Sequence, residues 1–276
     1  MKKILFPTDF SEVTNTAFVY ALELAKIVKG EIILLHSFES PYFDDQFFPE
    51  NFEVVFESVE LSEYGMFRDE IPKLRAIAEN RNLQNIKLSH RLIEGNLMSC
   101  ISQCVIEENI DFIVMGTTGA TGWKEIFIGT NTGKVVTNVS VPVLSVPHEI
   151  EYVLIETIGF TTRFRDKDKI ALKSVLDIAK KTHAMVKCLY VKTSNSDVSE
   201  SSIAQWKREF EKEPVQFFII PSDDVKDTIF DFIYNQKIDI LAMLTYKKTF
   251  FTDLFTTSFS KSMSYNTEIP ILVLHE

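Results

Sequence analysis

Cysteine is scarce in this chain. Cys100, Cys104 and Cys188 are the only three in 276 residues, and no two form a C-x-x-C pair. An odd number without paired spacing builds neither a disulfide framework nor a zinc site. Cys100 and Cys104, four apart on an expected helix, read instead as small buried hydrophobes. No apolar run approaches the roughly 20 residues needed to cross a bilayer. Met1–Pro7 lacks the apolar core of a signal peptide, which gives the expectation of a cytoplasmic protein with no membrane partner. Positive charge is also in deficit. A net charge of −10 argues against nucleic acid or an anionic membrane as the main partner. The five histidines are scattered. No Ser-His-Asp order, paired carboxylates or metal-ligand cluster stands out, so no catalytic or metal-binding residue is assigned.

What is present is an ordinary globular composition, 45% hydrophobic and 25% charged, over a length comfortable for two domains. Ile4-Leu5-Phe6 reads as a first strand, followed by a helix whose apolar positions Ala17, Phe18, Ala21, Leu24, Ala25 and Val28 keep helical spacing. Ser11 or Thr14 is its expected cap and Gly30 its expected stop. Ile32–His36 is a second strand, apolar almost throughout, as parallel strands covered on both faces tend to be; His36 within it reads as a satisfied core residue. A helix is expected from about Glu57 to Asn80, with a kink or break at Pro72. Further strands are expected at Ile86–Leu92, Ile110–Met115 and Val141–Val146, with Asn96 capping a helix over 97–108. Pro142 implies an edge or irregular position in the last strand. Strands alternating with helices predict a doubly wound α/β fold, with ligands bound beyond the carboxyl ends of the strands.

The second half repeats the first. Ile238–Met243 matches Ile110–Met115, and Ile269–Leu274 matches Val141–Val146, at an offset of 128. Earlier in each half the offset is 154, which aligns Leu176–Lys180 with Leu22–Lys26. The first repeat therefore holds about 26 extra residues, placed mostly after its second strand. The expectation is two tandem Rossmann-like domains, 1–148 and 149–276, each with a five-stranded, mainly parallel sheet. Their short apolar fifth strands are expected to pack together, since an uncovered apolar edge invites aggregation.

Chemistry concentrates in the stretch from Val114 to Thr132. An apolar strand stops at Gly116, Gly119, Gly122 and Gly129 follow, and Thr130-Asn131-Thr132 then looks like the capped start of a helix. A strand, a glycine loop and a helix N-terminus make a phosphate cradle, because backbone N–H groups and the helix dipole both favour an anion there. The alternative is a purely structural βα loop. Gly129-x3-Gly133-Lys134 imitates a Walker A loop but is one residue short and lacks the Ser/Thr after the lysine.

The spacing Gly116-x2-Gly119-x9-Gly129-Thr130 resembles the nucleotide-binding signature of the universal stress protein family, and the tandem repeat resembles its two-domain members. That resemblance implies ATP, with or without Mg²⁺, bound by the N-terminal domain of a stress-response regulatory protein. It implies that Pro7, Thr8 and Asp9 lie against adenosine and that the Ser37 backbone reads adenine. Met115, Gly116, Gly119, Gly129, Thr130, Asn131 and Thr132 would surround the ribose and phosphates. From local sequence Asp9 is equally a helix-capping aspartate. The family's fifth strands mediate dimer contacts, so the chain is expected to be an intramolecular pseudo-dimer, with a homodimer and an unknown protein partner left open. In the second repeat Leu244 stands at the position of Gly116, Lys247 at Gly119, Thr257-Ser258 at Gly129-Thr130 and Arg163 at Asp9, so its nucleotide site is expected to be lost. Binding of another anion by Lys247, Lys248 and Arg163 is the alternative. For the whole chain the alternatives are a slow ATPase or phosphoryl or nucleotidyl transferase, and an interaction module that binds no nucleotide. The aromatic stretch Phe38–Phe56 is expected either to cover the sheet or helix, or to form a lid beside the nucleotide.

Overall fold

The computed structural model describes residues 1–11, 13–39, 52–117, 130–147, 150–245 and 269–275. The chain forms two compact units, Met1–Met115 and Gly116–Glu276.

The first unit holds β1 (Lys2–Pro7), α1 (Val13–Val28), β2 (Gly30–Phe38), α2 (Phe52–Asn80), β3 (Leu88–Glu94), α3 (Leu97–Glu107) and most of β4 (Phe112–Thr117). Its strands are parallel in the order β3-β2-β1-β4. Ile4, Leu5 and Phe6 of β1 and Ile32 to Leu35 of β2 are buried, which is why both strands read as unbroken apolar runs. Helix α1 buries Ala17, Phe18, Ala21, Leu22 and Ala25, and the Phe18 ring packs 5.3 Å from that of Phe6. The expected stop at Gly30 is corrected by one residue. The chain leaves α1 at Lys29, in the left-handed region at φ +53°, and Gly30 opens β2. Gly30 is needed for another reason: a Cβ there would lie 2.7 Å from the Lys2 carbonyl oxygen across the β1–β2 pair.

Helix α2 begins at Phe52, earlier than the expected Glu57, and runs through Pro72; residues 40–51 of the aromatic segment lie outside the described residues. Phe67, Leu74 and Ala78 are buried at helical spacing. Helix α3 is capped as expected, with the Ser99 N–H donating to Asn96 Oδ1 at 3.0 Å. Strands β3 and β4 each begin two residues later than expected, at Leu88 and Phe112.

The second unit holds α4 (Thr130–Asn138), β5 (Val143–Pro147), β6 (Thr157–Thr161), α5 (Asp166–Thr182), β7 (Met185–Lys192), α6 (Glu200–Glu209), β8 (Val215–Pro221), α7 (Val225–Gln236), β9 (Ile240–Leu244) and β10 (Ile271–Leu274). The order is β5-β10-β9-β6-β7-β8. The pairs from β10 to β8 are parallel, and β10 meets β5 antiparallel, with Ile271 opposite Ser145 and Val273 opposite Val143. The two strands expected to pack together therefore share a backbone ladder. Pro142 and Pro270 each stand immediately before their strand, where neither removes a ladder donor.

The repeat is visible bond by bond. In the first unit Thr8 N donates to Leu35 O and Phe10 N to Thr8 Oγ1; in the second, 154 residues on, Thr162 N donates to Leu189 O and Phe164 N to Thr162 Oγ1. At an offset of 128, Thr117 Oγ1 to Val146 O recurs as Thr245 Oγ1 to Leu274 O. Ile32 pairs with Leu88 in the first unit and Val186 with Val215 in the second, so the offset falls from 154 to 127 across this connection. The extra residues thus lie between β2 and β3, where α2 takes the place of the shorter α6. Ile271 and Val273 are buried in the antiparallel pair, and Ile271→Ala is expected to lower stability by about 2–5 kcal/mol. Denaturant unfolding checks this, with exposed Ile170→Ala, expected within about 0.5 kcal/mol of the parent, as the control.

Candidate functional site

In the first unit the backbone register assembles one edge at the carboxyl ends of three strands. Pro7 lies opposite Leu35, which sets Asp9 level with Ser37, and Leu5 opposite Ile113 sets Pro7 level with Met115. Thr8 is buried. Its hydroxyl accepts the Phe10 N–H at 2.9 Å and holds that residue at φ +59°. Asp9 is exposed, and its Oδ1 accepts both the N–H and the hydroxyl of Ser11, at 3.0 and 2.7 Å. This is a turn before α1, which begins at Val13, and not a cap on the helix itself. The other carboxylate oxygen has no partner among the described residues.

His36 stands behind this corner and is buried. Its ring joins the Thr8 carbonyl (Nδ1, 2.8 Å) to the Glu63 carboxylate of α2 (Nε2, 3.1 Å). Both partners are hydrogen-bond acceptors. Phe10 and Phe67 pack around it, their rings 5.4 Å apart. Sequence reading identified His36 as a satisfied core residue but not its partner. Glu63 lies 27 residues away on a helix whose docking only the fold reveals.

In the second unit, Gly116 is half-buried at the end of β4, and α4 begins at Thr130. Thr130, Asn131 and Thr132 therefore form the first helical turn, and do not precede it as a cap. Asn131 is exposed, and Thr132 is 2% exposed. The helix is fastened from β10's end, where His275 Nε2 donates to Val136 O at 2.7 Å; burial pushes the His275 pKa down. Gly119 and Gly129 lie outside the described residues.

The second unit also contains the repeat of the β1 corner, with different chemistry. The Asp168 carboxylate, 1% exposed, accepts from Thr162 Oγ1 (3.1 Å), Arg163 N (2.7 Å) and Arg165 N (3.1 Å), all at Oδ2. Its counterpart in the first unit is Thr14, whose hydroxyl lies 3.3 Å from that of Thr8. Tyr190 replaces His36 and hydrogen-bonds Ser196, and burial raises its pKa. Beyond the ends of β6, β7 and β9 lies a cleft of about 250 Å³, lined by both arginines of this corner and by Leu244. Lys247 and Lys248 lie outside the described residues. Sequence reading located Arg163 and Leu244 but missed Asp168, Tyr190 and Asp197, which the repeat offset could have found only by comparing polar positions one at a time.

No group of three or more potential metal ligands occurs among the described residues, and no helix among them is long and apolar enough to cross a membrane. Cys100, Cys104 and Cys188 are buried and free. Burial pushes the Cys104 thiol up to about 11 and that of Cys188 well above its ordinary value, which makes both poor nucleophiles.

Compared with known families, residues 1–147 match the universal stress protein family. The chain belongs to this family. A universal stress protein of Methanocaldococcus jannaschii is 30% identical over 145 residues, 52% of this chain and 81% of that protein. One from Thermus aquaticus is 29% identical over 147 residues, again 52% of this chain and 98% of the relative. Among solved structures, a universal stress protein from Archaeoglobus fulgidus superposes with a TM-score of 0.73 at 20% identity, covering 99% of this chain and 96% of its own. At that identity the likeness is one of fold alone. It extends beyond residue 147, so a universal stress protein fold spans both halves of the sequence.

The two corners differ most in their buried polar group. Asp168→Ala leaves three donors without their acceptor, and each bond to a charged group is worth about 1.5–3 kcal/mol. The expected loss is at least about 3 kcal/mol in denaturant unfolding, against about 1 kcal/mol or less for Thr14→Ala, which removes one neutral hydroxyl.

Proposed function

We propose that this universal stress protein binds ATP through residues of its first half and serves as a cytoplasmic stress-response regulator. The observation that carries this reading is the order of elements around the glycine signature. Gly116 is the last residue but one of β4, which ends at Thr117, Gly129 immediately precedes α4, which begins at Thr130, and Gly119 falls between them in the sequence. A strand end followed by a glycine loop and a helix N-terminus supplies unpaired N–H groups and a favourable dipole to phosphate. Pro7, Thr8, Asp9, Ser37 and Met115 are proposed for the adenosine side. The carboxylate oxygen of Asp9 left open suits an adenine amine or a ribose hydroxyl. Gly116, Gly119, Gly129, Thr130, Asn131 and Thr132 are proposed for the ribose and phosphates, with or without Mg²⁺.

Regulation is proposed ahead of turnover, because the sequence singles out no catalytic base for hydrolysis. The two domains of the protein are proposed to be 1–148, which binds ATP, and 149–276, whose nucleotide site has degenerated. The second half itself supplies the substitutions that test this. Asp9→Arg and Gly116→Leu install in the first half what Arg163 and Leu244 are in the second. In calorimetry on the full chain each is expected to weaken ATP binding by about ten- to a hundredfold, the worth of one charged hydrogen bond or of a lost close approach. The melting temperature of Asp9→Arg without ligand should stay near that of the parent, since Asp9 is exposed. Unchanged ATP affinity in both variants would refute the reading.

A further inference from the structure

The cleft in the second half has no role in the function proposed above, and its lining is unlike a phosphate cradle. Its apolar lining includes Val191, Val225, Ile229 and Leu244. Arg163 and Arg165 also line it, both fixed through their backbone N–H groups by buried Asp168. Relative to the first half the polarity is inverted. Cations occupy the position of the adenosine carboxylate, and a leucine side chain occupies the position where a phosphate chain would meet backbone. At about 250 Å³ the cleft lies just below the range of pockets for drug-sized ligands, which favours an occupant smaller than a nucleoside triphosphate.

The guanidinium of Arg165 shows what kind of head group it takes. Its Nη2 contacts both oxygens of Asp197, at 2.5 and 2.7 Å. Asp197 is carried on the connection between β7 and α6, which lines the cleft and is pinned by Ser194 N donating to Asp223 Oδ1 (2.7 Å) and by the Tyr190–Ser196 hydroxyl pair. The Asp197 side chain is 69% exposed, so releasing it to water costs little. Its hydrogen bonds with Arg165, together with the charge of nearby Arg163, hold its carboxyl below the usual carboxylate range.

We propose that the second half binds a small organic carboxylate with an apolar body, and that Asp197 is a tethered stand-in for its head group. On binding, the ligand carboxylate takes the Arg165 guanidinium from Asp197, one carboxylate exchanged for another, while its body covers Val191, Val225, Ile229 and Leu244. The tether holds Asp197 at a high local concentration, so it competes with every ligand and sets a threshold for occupancy.

The test uses the full chain in calorimetric titration with 3-phenylpropionate as the probe, 3-phenylpropanol as its uncharged counterpart, and ATP as a competitor. The acid is expected to bind at least about tenfold tighter than the alcohol, and Arg165→Gln to erase that preference. Asp197→Asn should tighten acid binding by about two- to fivefold, the worth of an exposed ion pair, and leave alcohol binding unchanged. Asp197 is on the surface, so this variant does not depend on how Arg165→Gln folds. The proposal is overturned if the acid does not bind, if acid and alcohol bind equally, if Asp197→Asn leaves acid binding the same or weaker, or if ATP displaces the acid. Every residue involved lies in the second half, so each of these results leaves ATP binding by the first half standing.

Discussion

An aspartate at the start of one strand decides where the strand beside it begins. Asp111, next to β4, accepts the Lys3 N–H at 2.8 Å and the Lys2 ammonium at 2.7 Å, and its own N–H donates to the Lys3 carbonyl. Asp239, next to β9, accepts from both Glu156 N and Thr157 N at 2.9 and 2.8 Å and donates to Thr157 O. These charge-assisted bonds lock β1 to β4 in the first unit and β6 to β9 in the second, each without a residue of slip. Because a parallel pair keeps its register to the far end, the same bonds determine which residues emerge at the carboxyl edge. β1 lies between β2 and β4, and β6 between β7 and β9. The strand order reverses at each of these strands, and the connections leave on opposite faces, which opens a crevice at that edge.

The corners after β1 and β6 show how one backbone carries two chemistries. Thr8 and Thr162 make equivalent bonds to Leu35 and Leu189 and to the N–H two residues on. Phe10 and Phe164 take the same left-handed conformation, at φ +59° and +54°. All of these bonds involve backbone or a threonine hydroxyl, so they recur in both halves although the exposed residue is Asp9 in one, where its carboxylate also holds Ser11, and Arg163 in the other. The buried position beneath differs as well. Where the first unit has a hydroxyl at Thr14, the second has a carboxylate that gathers three donors, and this ties the conformation of Arg163 and Arg165 to the core. Fold and site chemistry thus separate cleanly here, as they do wherever function is carried by side chains at the edge of a common scaffold.

The insertion between β2 and β3 gives the first unit its other distinction. Among its described side chains, helix α2 buries Phe67, Leu74 and Ala78 and leaves Leu61 and Tyr64 exposed. Its polar attachment is Glu63 to His36, and through His36 to the Thr8 carbonyl. Among the described residues the counterpart Tyr190 bonds to the local Ser196. The corner in the first unit is therefore braced by a distant helix, and that in the second by its own neighbouring loop.

Periodicity and repetition made most of the architecture legible. The apolar runs of β1, β2, β4 and β9, the Asn96 cap, and the offsets of 154 and 128 were all written in residue order, because burial on both faces of a parallel sheet and capping of a helix end are local requirements with local signatures. The chain alone also fixed the positions at which the halves differ, Asp9 against Arg163 and Gly116 against Leu244. Helix ends were less legible. Lys29, His183 and Lys237 end α1, α5 and α7 in the left-handed region at a cost that glycine would have spared, and surrounding packing, not propensity, makes them do so. What only the tertiary structure decided were the meetings between residues far apart: His36 with Glu63, and Arg165 with Asp197. Each joins groups whose separation along the chain has no period and no motif, and a hydrogen bond or ion pair between them exists only once the sheet has set their distance.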